Sequence, residues 1–155
     1  MEPTIVTRSD TIPAAPADVW ATLAALDQIS RWAPNVEHSS LLTAEATGVG
    51  AARRVQVGRG RALVETITVW QPETGLTYSI DGLPPLVASI TNGWHLVEAP
   101  GGTRATLTTT IDPGTALRGR VGALVLSQVL ARASVTMLKG LAAHHGAAGP
   151  RTGTS

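Results

Sequence analysis

The order of the predicted elements is the feature that most constrains this chain: strand-like segments follow one another at hairpin spacing, and one long helical pattern comes last. Strands are predicted at residues 4–12, 36–45, 50–57, 62–71, 76–81, 87–98 and 103–111. Glycine and proline between these segments supply the backbone angles of tight turns. Strands joined by short turns are antiparallel neighbours. The sequence therefore predicts a single antiparallel sheet of seven strands.

Helical segments interrupt the strands after the first one and follow the last one. Pro16 and Asp18 suit the first turn of a helix that runs to about Leu26, and a short helical turn follows at residues 29–33. A long helix is predicted over residues 115–144. Its apolar side chains recur at helical spacing and form one face: Leu126, Leu130, Ala133, Met137 and Leu141.

These elements predict an α+β fold in which a curved seven-stranded antiparallel sheet wraps around the long C-terminal helix. The predicted domain covers residues 4–145, and the small polar residues 146–155 are expected to form a disordered tail. One helix cannot fill the concave face of such a sheet. We therefore expect a cavity that binds a hydrophobic small molecule.

Composition excludes several classes of function. The 155-residue chain has a net charge of +1, which gives no reason to expect a nucleic acid partner, and it has no cysteine for a disulfide or a thiolate metal site. Its four histidines share no ligand spacing with nearby carboxylates, so no metal site is predicted. The apolar stretches are interrupted well before the roughly 20 residues of a membrane span. The N-terminus lacks the features of a signal peptide, and a cytoplasmic monomer or homodimer is expected.

Turn lengths predict which side chains face the concave side of the sheet. A four-residue turn at residues 99–102 places Leu107 opposite Trp94 and Thr109 opposite Asn92. All four side chains then point inward. The apolar side chains among them are candidates for ligand contact, and the Asn92 amide is a candidate for hydrogen bonding.

The preceding hairpin has a four-residue turn as well, at residues 72–75. It is predicted to place Tyr78 opposite Val69 and Ile80 opposite Ile67, all facing inward. Trp70 follows Val69 in the strand, so its side chain is predicted to face outward.

A pair of opposite charges is predicted among these inward side chains. A three-residue turn at residues 58–60 places Arg53 opposite Glu65, whereas a two-residue turn would reverse the facing of the strand over residues 50–57. Burial of either charge alone is costly, and pairing offsets much of that cost. The pair is either a polar anchor for a ligand or a structural cross-strand pair near the rim of the sheet.

The predicted ligand contacts are the side chains that line the concave face: Trp32, Ile67, Ile80, Trp94, Leu107, Thr109 and Met137. Trp32 lies two residues before Pro34, in the predicted helical turn at residues 29–33. Its ring either belongs to the core or forms a wall of the cavity entrance.

Several segments together resemble a known superfamily. They read IPAAPADVW at residues 12–20, RWAPNV at 31–36, VETITVWQP at 64–72, GLTY at 75–78, GGTR at 101–104 and LKGL at 138–141. In order and spacing they are similar to the SRPBCC (START-like, helix-grip) superfamily, in its polyketide cyclase/dehydrase-like branch. The resemblance covers residues 4–145.

The resemblance implies a cofactor-independent site in a deep cavity lined by Arg, Tyr, Asn and acidic or hydroxyl groups. Arg53 matches the strand location of the pocket arginine, whereas Tyr78 and Asn92 are candidates by their facing alone. As catalytic residues, Arg53 would stabilise enolate charge and Glu65 would act as general acid or base. Tyr78 and Asn92 would hydrogen-bond substrate oxygens.

Three functions are compatible with these observations. The first is cyclisation or dehydration of a polyketide-like substrate. The alternative is a non-catalytic binder or carrier of a lipid-like or other hydrophobic small molecule. The third is a protein-interaction module of the same fold with a closed cavity. One fold commonly hosts several such functions.

Overall fold

The computed structural model describes residues 2–58, 60–83 and 85–147, and it confirms the predicted fold class. The chain begins with strand β1 (Thr4–Ile12), helix α1 (Pro16–Ala24) and a 3-10 helix (Leu26–Arg31). The remaining elements are β2 (Val36–Leu41), β3 (Ala52–Val57), β4 (Arg61–Gln71), β5 (Gly75–Asp81), β6 (Ser89–Ala99), β7 (Gly102–Asp112) and α2 (Leu117–Ala147).

The described strands form one antiparallel sheet in the order β1-β7-β6-β5-β4-β3-β2. Strands β2 to β7 are joined as successive hairpins, and β1 pairs with β7 over its full length, from Thr4 opposite Ile111 to Ile12 opposite Thr103. The first strand and the last strand are therefore neighbours. Consequently, α1 and the 3-10 helix connect the two outer strands, β1 and β2.

Helix α2 packs against the sheet with the face that its apolar pattern predicts. Leu126, Met137 and Leu141 are buried in the core. The helix continues through Gly146 to Ala147, so Gly146 lies within the last turn. Most of the predicted tail, residues 148–155, lies outside the described residues.

Both ends of α2 approach the backbone of neighbouring loops at glycines. A β-carbon at Gly119 would overlap the carbonyl of Pro113, and one at Gly122 would press on the backbone of Leu86. Towards the other end, a β-carbon at Gly140 would overlap the backbone carbonyl of Trp32 and press on the ring of Pro34. The absence of a side chain at these three positions allows α2 to lie close to the loops.

The expectation that apolar stretches are too short for a membrane span is wrong for α2. Among the described residues, α2 is long and apolar enough to cross a membrane by length and composition. The only charge between Val121 and Leu138 is that of Arg132, which faces away from the core. A core helix of a soluble protein meets the same criteria, and α2 does contribute one face to the core.

The register between β4 and β5 differs from the prediction for two reasons: the turn has three residues, 72–74, so that Gln71 lies opposite Gly75, and β4 contains a bulge. Tyr78 lies opposite Ile67 and Ile80 lies opposite Glu65, so the predicted pairs of Tyr78 with Val69 and of Ile80 with Ile67 are wrong. The bulge lies between Ile67 and Val69. Tyr78 and Ile80 still face inward, whereas Val69 is 40% exposed.

The same bulge reverses the facing of Trp70, which was predicted to point outward. An extra residue in one strand shifts every later side chain to the other face. Trp70 therefore points inward opposite Leu76, and its ring packs edge-to-face on that of Trp20 with centroids 4.9 Å apart. This contact joins the end of β4 to α1.

Candidate functional site

A cavity of about 430 Å³ lies between the concave face of the sheet and α2. Its volume falls within the roughly 300–1,000 Å³ of small-molecule sites. Most of its wall is apolar and includes Val36, Val55, Leu63 and Ile80 from the sheet, and Leu130 and Met137 from α2. Gly58, Arg61 and Val129 are the exposed members of the wall, so the mouth lies between the β3–β4 hairpin and the middle of α2.

The predicted charge pair is present and buried. Arg53 lies opposite Glu65, as the three-residue turn predicts, and its Nε donates a hydrogen bond of 2.8 Å to Glu65 Oε1. Only 4% of the Arg53 side chain and 8% of the Glu65 side chain are exposed. Glu65 belongs to the cavity wall, whereas Arg53 does not. The Glu65 carboxylate therefore faces the cavity, and the Arg53 guanidinium lies on the side of the carboxylate that points away from the cavity.

Further contacts hold Arg53 in that position. Its Nη1 donates to the backbone carbonyl of Leu26 at 3.1 Å. The guanidinium carbon also lies 5.0 Å from the centroid of the Tyr78 ring, which is within the range of a cation–π contact. These contacts compensate for the loss of water around the cation.

A second polar group consists of Thr109, Asn92 and Tyr78. The Thr109 hydroxyl donates to Asn92 Oδ1 at 2.6 Å, and Asn92 Nδ2 donates to the Tyr78 hydroxyl oxygen at 3.3 Å. Of the three side chains, Asn92 belongs to the cavity wall. An amide has two N–H donors, and these contacts use one of them. The other one can donate to a ligand oxygen.

Tyr78 remains a neutral phenol in this environment. Burial, and secondly the charge of Glu65, raise its pKa to about 12, although Arg53 and the hydrogen bond from Asn92 act in the opposite direction. The hydroxyl therefore keeps its proton at neutral pH. It orients Asn92 and does not reach the cavity wall.

The predicted ligand contacts divide into two groups. Ile80 and Met137 belong to the cavity wall, whereas the others lie elsewhere in the core of the same concave face: Trp32, Ile67, Trp94, Leu107 and Thr109. Trp32 is 6% exposed and packs edge-to-face on Trp94, with ring centroids 5.9 Å apart. Of the two interpretations of Trp32, the structure supports the core position.

Sequence reasoning missed two polar residues of the cavity wall, Asn35 and Arg61. The Oδ1 atom of Asn35 is buried and has no hydrogen-bond partner among the described residues. Arg61 shares a face of β4 with Leu63 and Glu65, so continuing their alternation towards the start of the strand would have placed it on the cavity side. Asn35 follows a proline between two elements, and such a position reads as an ordinary turn.

Two of the segments between strands each contain one residue that lies outside the described residues. Gly58 and Gly60 flank the turn of the β3–β4 hairpin, but Arg59 lies outside the described residues. The sequence Pro84-Pro85 predicts either a loop that gates the cavity or a plain rigid turn, and Pro84 lies outside the described residues as well. Within residues 2–58, 60–83 and 85–147, no group of three histidine or acidic side chains could hold a metal ion.

An antiparallel sheet that wraps around one long helix, with a ligand cavity between them, defines the helix-grip class of proteins. Residues 3–146 match the family described as "Polyketide cyclase / dehydrase and lipid transport", and the chain belongs to this family. This match confirms the resemblance to the polyketide cyclase/dehydrase-like branch of the SRPBCC superfamily. A comparison with curated proteins found no match.

Solved structures share the fold over nearly the whole chain. The Zhui aromatase/cyclase of a Streptomyces species is 19% identical with a TM-score of 0.80, and the match covers 99% of this chain and 100% of that one. The di-domain aromatase/cyclase StfQ of the steffimycin biosynthetic pathway is 18% identical with a TM-score of 0.72, covering 96% and 53% of the two chains. Ara h 8.0201 is 18% identical with a TM-score of 0.72, covering 94% and 99%.

Proposed function

We propose that this protein binds a hydrophobic small molecule in its cavity and catalyses cyclisation or dehydration of a polyketide-like substrate without a cofactor. One observation carries the proposal: the buried carboxylate of Glu65 faces an apolar cavity and is held there by Arg53. Membership of the polyketide cyclase/dehydrase family supports the choice of reaction, as does the structural similarity to two aromatase/cyclases.

In this proposal the cavity folds a flexible poly-ketone so that its reacting carbons meet, which supplies rate through positioning. The Glu65 oxygen that is not paired with Arg53 removes a proton from a carbon between two carbonyls. The resulting enolate carbon attacks a ketone carbon and forms a carbon–carbon bond. Glu65 then returns the proton to the new alkoxide. Dehydration follows when a second C–H proton and this hydroxyl leave together as water.

The other polar residues have supporting roles in the proposal. The unused N–H of Asn92 donates to the enolate oxygen and stabilises its charge. Arg53 is a positioning residue, because it does not belong to the cavity wall and it holds Glu65 while bonded to the Leu26 carbonyl. Tyr78 positions Asn92 through their hydrogen bond. These roles replace the direct substrate contacts that the sequence suggested for Arg53 and Tyr78.

The test is turnover of a synthetic poly-β-ketone thioester, followed by liquid chromatography and mass spectrometry. Glu65→Gln preserves shape and removes the base, so we expect the rate to fall about 100- to 10,000-fold. Glu45→Gln, at an exposed carboxylate, is the matched control and keeps the wild-type rate. A Glu65→Gln variant that is folded and as active as the wild type would show that the assignment of the base is wrong.

A second candidate function is a non-catalytic carrier of a lipid-like molecule. It is favoured by the internal pairing of the polar groups. Arg53 bonds to Glu65, and both Tyr78 and Thr109 bond to Asn92. The rest of the cavity wall is mainly apolar. Native mass spectrometry of the purified protein separates the two functions. A copurifying ligand that stays chemically unchanged on long incubation supports the carrier, and its conversion supports the enzyme.

A further inference from the structure

We propose that the natural ligand is an anionic amphiphile, whose carboxylate or similar group pairs with Arg61 at the mouth while its apolar body fills the cavity. This inference rests on the proposed binding of a small molecule in the cavity. It adds a chemical class and an orientation to that ligand.

The position of Arg61 is the first step. Arg61 begins β4 opposite Val57, on the same face as Leu63 and Glu65. Its side chain is exposed, and it belongs to the cavity wall together with Val129 of α2. The guanidinium therefore lies where an apolar interior meets water.

The availability of Arg61 is the second step. Among the described residues, the ion pair within 4.0 Å is the one between Arg53 and Glu65, and Arg61 has no carboxylate partner. Arg61 is also the only cationic side chain among the described residues of the cavity wall. A guanidinium offers five N–H donors in a planar arrangement that matches a carboxylate.

The interior of the cavity is the third step, because it disfavours an anion. Among the described residues of its inner wall, the only charged group is the Glu65 carboxylate, which repels a second negative charge. Arg53 lies behind Glu65 and is already bonded to it. An anionic group on the ligand would lose its hydration inside without gaining a cationic partner. The mouth is therefore the favourable place for that group, with the apolar body directed inward.

Two fluorescent probes test this charge preference because they share one apolar body. 1-Anilinonaphthalene-8-sulfonate carries a sulfonate, and N-phenyl-1-naphthylamine is the same molecule without it. Titrations at low salt give a Kd for each probe. We expect the wild type to bind the sulfonate about two- to fivefold more tightly, which corresponds to one partly screened charge contact. Added salt reduces this preference.

Variants assign the preference to Arg61. Arg61→Gln is expected to bring the Kd of the sulfonate probe to that of the neutral probe, and to leave the Kd of the neutral probe unchanged. Arg54→Gln is the matched control, because Arg54 is an exposed arginine of the same hairpin on the outer face. It keeps the preference. Ala133→Trp places a large side chain from α2 in the cavity. We expect it to weaken the binding of both probes. Circular dichroism confirms that the variant folds.

The outcomes are distinct. Two results would contradict the inference that the ligand is anionic and pairs with Arg61: equal Kd values for the two probes in the wild type, or a preference for the sulfonate probe that persists in Arg61→Gln. Either result leaves the proposal of a ligand-binding cavity unaffected. Unchanged Kd values for both probes in folded Ala133→Trp would place binding outside the cavity and overturn the inference as well. If the wild type binds neither probe, ligand binding in the cavity fails, and the proposed function fails with it.

Discussion

Gly140 of α2 lies so close to the backbone carbonyl of Trp32 that no β-carbon fits between them. The contact fixes α2 to the segment that follows the 3-10 helix. Because the neighbour is backbone and a proline ring, it cannot move aside as a flexible side chain could. Gly140 is therefore required by packing, although glycine disfavours the interior of a helix.

We predict that Gly140→Ala destabilises the fold by about 1–3 kcal/mol, the usual cost of inserting a carbon into a packed interior. Urea unfolding monitored by circular dichroism measures this change. Gly146→Ala is the control in the same helix, because a β-carbon there meets nothing within 4 Å. Helix propensity predicts that Gly146→Ala is neutral or stabilising by up to about 1 kcal/mol. Equal effects of the two substitutions would contradict the packing argument.

The buried pair of Arg53 and Glu65 gives a prediction about stability. Arg53→Met leaves the Glu65 carboxylate buried without its partner, and we expect a loss of about 3–5 kcal/mol. The double variant Arg53→Met, Glu65→Leu removes both charges and should recover most of that loss. Chemical denaturation of both variants measures the difference. A double variant less stable than Arg53→Met would show that the pair contributes through packing rather than charge.

The hydrogen bond from Thr109 to Asn92 gives a third prediction. Thr109 is fully buried, so Thr109→Val keeps its shape and leaves Asn92 Oδ1 without a donor. We expect a loss of about 1–3 kcal/mol in unfolding experiments. Thr108→Val, on the outer face of the same strand, should change stability by less than about 0.5 kcal/mol. If Asn92 acts in catalysis, Thr109→Val also lowers kcat.

A fourth prediction concerns pH and His145. The imidazole is buried and bonds to the Thr22 hydroxyl at 2.9 Å. Burial, and secondly the neighbouring His144, lower its pKa from 6.5, although Asp18 acts in the opposite direction. The unfolded chain therefore binds a proton at a higher pH than the folded protein does. Stability contributed by neutral His145 is complete above about pH 7 and falls as the pH decreases through 6.5 towards the folded pKa.

Urea midpoints measured from pH 8 to pH 5 test this dependence. The decrease below pH 7 should become smaller in His145→Gln, which keeps a hydrogen-bonding side chain and cannot gain a proton. His38→Gln is the control, because His38 is exposed on β2. An unchanged pH dependence in His145→Gln would assign the decrease to other groups.

Sequence reasoning was most successful where local rules decide the structure. Alternation and turn length predicted that Arg53 lies opposite Glu65 and Trp94 opposite Leu107, as the structure confirms. The bulge near Val69 could not be predicted in this way. It accompanies the contact of Trp70 with Trp20, and a contact between distant segments has no local sequence signal.

The candidate site shows a different limit. Alternation predicts which face of a strand a side chain occupies, but it does not predict how deeply α2 approaches that face. Ile80 and Trp94 both point inward, yet only Ile80 belongs to the cavity wall. The path of α2 is decided by contacts such as Gly140 on Trp32. The distance between α2 and the sheet therefore cannot be predicted from the alternation of side chains along a strand.

The glycine contacts near both ends of α2 also bear on how the ligand preference of this protein can change. They fix the path of the helix independently of the side chains that its central turns present to the cavity, such as Leu130, Ala133 and Met137. Exchanging those side chains alters the room for a guest molecule while the scaffold stays in place. New selectivity can therefore be obtained from a few substitutions along one helix, with no rebuilding of the sheet.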